Sequence, residues 1–328
     1  MRILPVLLCI ISLFIASETK ARQRNDPKDT FMLSEHNIVY KLTPGGDSLL
    51  LDMFSSTKPK VNPRPVLIII HGGAWVLGDR KVEAYDFARK LRDTLVKKDM
   101  VVVSIQYTLL KEDRHFPSPI ADCQDAIRWV HKNAAKYNID TSRIGLWGAS
   151  AGGHLSLLAA NTHELAFAGN DDLAENSTNV HYVIDNFGPT DMTAMLQLRA
   201  SKFKVWLAKL FIPKALKLRN NLIRGIFATT LKDDKEKVLS LAKQYSPVNY
   251  LSPSFKPTLI LHGSKDKLVP YKQSRELHKA LDKNKVVNKL VRVNKGNHGF
   301  TNISEEYTDE LVGEIVTFIN ERNSTVEQ

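Results

Sequence analysis

Apolar and polar positions follow two rhythms along this chain. Short, nearly continuous apolar runs occur at Pro65-Val66-Leu67-Ile68-Ile69-Ile70, Ile144-Gly145-Leu146-Trp147, Pro257-Thr258-Leu259-Ile260-Leu261 and Lys289-Leu290-Val291-Arg292-Val293. Runs of this length, ended by glycine or polar residues, predict strands. Helical stretches follow, one beginning at Leu155-Ser156-Leu157-Leu158-Ala159-Ala160 and another from Tyr271 to Leu281. Strand and helix alternate from Val66 onward, which predicts an α/β class with a mainly parallel sheet covered on both faces. Ahead of that region, Asn37 to Leu42 and Ser48 to Phe54 predict an antiparallel hairpin about Thr43-Pro44-Gly45-Gly46-Asp47.

The first residues follow a different pattern. Met1-Arg2 precedes an apolar run from Ile3 to Ala16, too short to span a bilayer comfortably but suited to the core of a signal peptide. Thr19-Lys20-Ala21 reads as the cleavage signal, with Ile15-Ala16-Ser17 as its rival and an uncleaved anchor as the alternative. Residues 1–21 are therefore expected to be a leader and 22–328 the folded domain, secreted or delivered to a lumen or periplasm. Loss of the leader removes Cys9 and leaves Cys123 without an internal disulfide partner. With 328 residues, 43% of them hydrophobic, one α/β domain with an insertion is large enough to be stable by its core. The sequons at Asn176, Asn302 and Asn323 are candidate glycosylation sites if the source is eukaryotic.

Chemistry enters at Gly148-Ala149-Ser150-Ala151-Gly152-Gly153, between the second apolar run and a helix. A serine on so sharp a strand-to-helix turn has its hydroxyl pushed out beyond the sheet, and small neighbours let the backbone make the turn. Downstream, Asp266 lies just past the strand that ends at His262-Gly263, and His298 follows the last strand. The order Ser150, Asp266, His298 matches a nucleophile, an orienting acid and a base. Asp191, in Gly188-Pro189-Thr190-Asp191, is the rival acid, and Asp185 reads as a satisfied strand-end residue. Of the ten histidines, only His278 and His298 follow Asp266, and His278 belongs to a helix; His71, His154 and His262 read as structural loop or helix residues. His71-Gly72-Gly73-Ala74-Trp75 follows a buried strand, where consecutive glycines let backbone N–H groups converge with that of Ala151 on an oxyanion.

These motifs resemble those of the α/β-hydrolases, in the esterase/lipase group that includes hormone-sensitive-lipase-like and BD-FAE-type carboxylesterases. The resemblance rests on His71-Gly72-Gly73-Ala74-Trp75 with Gly78-Asp79, Val101 to Tyr107, Phe116-Pro117, Asp122, Ala126 to Val130, Arg143 to His154, Phe187 to Asp191, Asp266 and His298, and covers about residues 37 to 320. Ala74 stands where many relatives have a third glycine, and Thr108-Leu109 replaces the usual Arg-Leu after Tyr107. The resemblance implies ester hydrolysis without metal or organic cofactor.

The charge distribution adds one feature. Between Asp191 and Asp233 lie nine basic residues and no acid, against a net charge of +11 for the whole chain. Phe203, Trp206, Leu207, Leu210 and Phe211 recur at helical spacing within that segment. The stretch falls between the sixth and seventh main strands, where the family inserts cap helices. A basic helical cap at about 191–245 is expected, either facing solvent or docking on an anionic membrane or lipid surface. Nucleic acid is not expected, since no binding motif accompanies the charge.

The expected activity is a serine esterase acting on a small-molecule ester through an acyl-enzyme. Ser150 attacks, His298 transfers the proton, Asp266 orients His298, and Gly73, Ala74 and Ala151 donate backbone N–H groups to the oxyanion. An amide or peptide hydrolase using the same three residues, or a non-catalytic binding protein on the same fold, is the alternative.

Overall fold

A computed structural model describes residues 31–43, 45–58, 62–162, 169–201, 205 and 213–325. The leader expected over residues 1–21 lies outside the described residues. So do Lys202, Phe203, Lys204, Trp206, Leu207, Lys209, Leu210 and Phe211 of the basic segment.

Eight strands form one sheet in the order β1-β2-β4-β3-β5-β6-β7-β8. They are β1 (Met32–Leu42), β2 (Ser48–Ser56), β3 (Arg64–Ile70), β4 (Val101–Ile105), β5 (Ile139–Ala149), β6 (Tyr182–Asn186), β7 (Thr258–Gly263) and β8 (Asn288–Val293). β1 pairs with β2, and β2 with β4, antiparallel; every other pairing is parallel. The apolar runs become inner strands because both of their faces are covered. Val66, Ile68 and Ile70 point into one core layer, and Leu67 and Ile69 into the other.

The first layer packs under helices α2 (Ser118–Lys132), α4 (Ala151–Asn161) and α8 (Lys272–Lys283), and the second under α1 (Asp86–Lys97) and α9 (Glu305–Ser324). A short α3 (Ala134–Tyr137) links α2 to β5. Between β6 and β7, the described residues hold α5 (Met192–Met195), α6 (Pro213–Phe227) and α7 (Lys235–Gln244). Among the described residues, no helix is long and apolar enough to cross a membrane.

The hairpin strands run further than their sequence pattern. β1 begins at Met32 rather than near Asn37, because register shifts between Glu35 and Ile38 and between Val39 and Lys41 break the alternation that marks a strand. Asn37 sits in the first shift with φ of 62°. Of the three sequons, Asn323 is 9% exposed within α9, so burial closes it to a glycan in the folded chain.

One buried ionic cluster ties this hairpin to the sheet's helical cover. Lys41 Nζ lies 2.7 Å from both Asp122 Oδ1 and Asp125 Oδ2. Asp122 Oδ2 accepts the Thr108 N–H at 2.8 Å, and Asp125 also meets Arg128 Nη1 at 2.8 Å. Burial opposes the charge on Lys41, but Asp122 and Asp125 outweigh it and hold the ammonium above its usual pKa. Removing one partner from such a cluster leaves uncompensated charge in the interior. Lys41→Met should therefore lower unfolding stability by about 3–5 kcal/mol, measured by urea denaturation.

Candidate active site

Ser150 occupies the turn between β5 and α4 with φ of 56° and ψ of −116°. Its N–H donates to Asn186 O at 2.8 Å, and its carbonyl accepts the His154 N–H at 3.1 Å. The turn needs glycine on both sides. A Cβ on Gly148 would stand 2.2 Å from Gly152 O, and one on Gly152 would stand 2.0 Å from Ile70 O. β5 and α4 are thus pressed together and against the end of β3, and the half-buried serine stands just past the C-terminal end of an interior strand.

Three sequence-predicted residues come together here. His298 Nε2 lies 2.9 Å from Ser150 Oγ, and its Nδ1 lies 2.7 Å from Asp266 Oδ2. The carboxylate can only accept, so Nδ1 carries the proton and the serine hydroxyl donates to Nε2. His298 opens a single 3₁₀ turn, His298–Phe300, rather than sitting in an open loop. Asn297 Oδ1 accepts the Thr301 N–H at 2.9 Å, and Asn302 fixes the same turn. The Asn302 Oδ1 accepts the Asn297 N–H at 2.8 Å while its Nδ2 donates to Lys295 O at 2.9 Å. The Phe187 ring packs against the His298 ring with centroids 4.6 Å apart.

Asp266 follows β7, and its side chain is 0% exposed. Its Oδ1 accepts the N–H groups of Leu268 at 2.8 Å and Val269 at 3.0 Å. Burial pushes its pKa up, but hydrogen bonds from His262 and His298 overcome this and hold it at about 2. Asp191 is elsewhere employed. It caps α5, accepting the Ala194 N–H at 3.0 Å. Asp185, on β6, is only half satisfied. Its Oδ1 accepts the Gly188 N–H at 2.9 Å, its Oδ2 has no hydrogen-bond partner among the described residues, and burial raises its pKa to about 6.

The His71-Gly72-Gly73-Ala74-Trp75 loop lies beside this turn. A Cβ on Gly72 would stand 3.5 Å from Ser150 Cβ. Gly73, Ala74 and Trp75 have φ of 114°, 51° and 64°, and the loop is closed by Val76 and Leu77 N–H groups donating to Gly73 O. Ala151 is the first residue of α4. No acceptor among the described residues takes the N–H of Gly73, Ala74 or Ala151. His71 props the loop from behind. It stacks on Tyr107 with centroids 4.2 Å apart, and burial lowers its pKa to about 4. His154 is likewise lowered to about 4 by burial, and its Nε2 lies 2.7 Å from Tyr245 O. Trp75 meets His154 and Phe116 edge-on, which makes an aromatic wall beyond the loop.

His262 departs from its sequence reading as a structural loop or helix residue. It lies on β7, fully buried, and its Nε2 is 3.2 Å from Asp266 Oδ2. The signal was its place four residues before the acid, at the end of a strand. His278 projects from α8 toward Asn288 and Asp282, away from the serine's partners.

Known proteins give the chain its family. The BD-FAE family model matches residues 51–281. Esterase LipC of Mycobacterium tuberculosis is 27% identical over 318 residues, covering 94% of this chain and 71% of that protein. Esterase LipQ of the same organism is 31% identical over 243 residues, covering 73% of this chain but 51% of that protein, so the chain spans about half of LipQ's length. Among solved structures, a truncated form of a carbohydrate esterase from gut microbiota superposes with a TM-score of 0.68 at 26% identity, covering 92% of this chain and all of that one. With an eight-stranded, mainly parallel sheet carrying these motifs, the chain has the α/β-hydrolase fold and belongs to the BD-FAE family, within the esterase group of that fold.

Proposed function

We propose that this protein hydrolyses carboxylic esters through an acyl-enzyme, with Ser150 as nucleophile. The observation that carries this reading is the unbroken hydrogen-bonded line from Ser150 Oγ through His298 to Asp266 Oδ2, at 2.9 and 2.7 Å. The esterase relatives support the same class of reaction.

In this mechanism, Ser150 Oγ adds to the acyl carbonyl carbon while its proton passes to His298 Nε2. The resulting imidazolium is stabilised by the buried negative charge of Asp266, which also fixes the tautomer that left Nε2 free to accept. The carbonyl oxygen becomes an oxyanion facing the N–H groups of Gly73, Ala74 and Ala151. The positive-φ backbone of Gly73 and Ala74, the place of Ala151 at a helix start, and the lack of acceptors for these groups among the described residues suit that role. His298 then returns the proton to the departing alcohol; a water deprotonated by His298 next adds to the acyl carbon, the bond to Ser150 Oγ breaks, and His298 gives the proton back to Oγ as the acid leaves. A docking role for the insertion is a narrower proposal. Lys214, Lys217 and Arg224 share the exposed face of α6, whereas Leu216, Leu222, Ile223, Ile226 and Phe227 are buried. An acid-free basic face of this kind fits an anionic lipid surface.

Ser150→Ala should abolish turnover of p-nitrophenyl esters and remove labelling by a fluorophosphonate probe, while leaving thermal unfolding near wild type. Aryl-anilide substrates run beside the esters separate esterase from amidase action. Asp266→Asn should lower kcat on the order of 10⁴-fold by reversing the imidazole tautomer. Asp191→Asn, which preserves a helix-capping oxygen, should lower it little. A reversed ranking would assign the acid to Asp191. For the insertion, co-sedimentation with anionic vesicles should exceed that with neutral ones and fall with added salt. It should drop when Lys214, Lys217 and Arg224 are replaced by Gln, and equal binding throughout would remove the lipid proposal.

A further inference from the structure

We infer that His262 is a positioning residue for the acid, a second imidazole that holds Asp266 in place and in its charged form, with Ser274 holding His262 in turn. The inference rests on the reading of Asp266 as the partner of His298. It concerns a side chain that touches neither the serine nor the space before it.

His262 is 0% exposed on β7. Its Nε2 faces two acceptors, Val269 O at 2.9 Å and Asp266 Oδ2 at 3.2 Å. A carbonyl cannot donate, so Nε2 carries a proton and shares it between the two. In the neutral ring, Nδ1 then accepts the hydroxyl of Ser274, 2.7 Å away and itself fully buried at the start of α8. One imidazole thereby joins three segments: the strand before the acid, the turn after it and the neighbouring helix.

The carboxylate is surrounded as a result. Oδ1 takes the Leu268 and Val269 N–H groups, and Oδ2 takes His298 Nδ1–H and His262 Nε2–H. Four donors fix both the position and the plane of the group. Because Asp266 and His262 are both sealed from solvent, no bulk water replaces the His262 donor when it is removed. The freed carboxylate would rotate or shift from the line to His298. That loss falls on the step in which His298 becomes positively charged, not on the binding of a neutral ester, so it appears in kcat and not in KM.

A matched pair of variants tests this. His262→Gln places an amide N–H near the Nε2 position, whereas His262→Asn is one methylene too short to reach Asp266. The full-length enzyme should lose about 10- to 100-fold in kcat with Asn, at a KM within about twofold of wild type. It should recover most of that with Gln. In the Asp266→Asn background, both substitutions should cost nothing further, because the charge they serve is gone. Ser274→Ala is the milder second probe, for use should His262→Asn fold poorly. It should lower kcat severalfold, again only when Asp266 is present. Equal losses in the Asp266 and Asp266→Asn backgrounds, or equal activity of the Gln and Asn variants, would reduce His262 to a packing residue and overturn the inference. If Asp266→Asn alone leaves turnover near wild type, the reading of the acid fails first; if it abolishes turnover while His262→Asn does not change kcat, only the role of His262 fails.

Discussion

The backbone at Ser150 is the constraint on which the site depends. A non-glycine residue at φ 56° and ψ −116° costs about 1–3 kcal/mol and persists only where its surroundings over-determine it. Here they do. The Ser150 N–H is bonded to Asn186 at the end of β6, and the glycines at 148 and 152 bring β5, α4 and β3 within contact distance. The parallel register of β3, β5 and β6 sets where Ser150 emerges. The glycine loop that leaves β3 at His71 is brought to the same end of the sheet by the same pairing.

Two buried carboxylates near this end of the sheet differ in charge because they differ in their neighbours. Asp185 and Asp266 have side chains equally inaccessible to water. Asp185 receives the Gly188 N–H alone, and burial prevails, raising its pKa to about 6. Asp266 is buried too, but the hydrogen bonds and charges of His262 and His298 bring its pKa down to about 2. Asp266 therefore keeps its charge to lower pH than Asp185, and it is the one bonded to an imidazole that also reaches Ser150.

The segment between β6 and β7 is tied to this framework at several points. Gln273 Oε1, on α8, accepts the N–H groups of Thr190 and Asp191 at 2.8 Å each, which fastens the chain where it leaves the sheet. His154 of α4 reaches Tyr245 O after α7, and Arg219 of α6 donates to Leu196 O and Gln197 O. The helices here bury apolar residues against the first core layer, and α6 turns Lys214, Lys217 and Arg224 outward while Arg219 is buried. Gln273 is next to Ser274, so the anchor of this segment and the support of His262 belong to one turn of α8.

The sequence by itself determined the class of fold and the order of the candidate site residues. Inner parallel strands must be apolar on both faces, so β3, β5 and β7 announced themselves as runs, and glycine on either side of Ser150 marked a turn that other residues could not make. It left β1 too short, because bulges erase the two-residue period, and it passed over His262, because a place four residues before Asp266 does not by itself show that the two side chains meet. It also left Asp266 and Asp191 as competing acids and read Asp185 as satisfied. The tertiary structure shows where each carboxylate finds its partners, which its place in the sequence did not. Asp191 caps a helix, Asp185 Oδ2 has no donor among the described residues, and Asp266 meets a histidine 32 positions away. Local periodicity reports which face of an element is buried; which buried group meets which partner is fixed by the register of the strands and the packing of the helices between them.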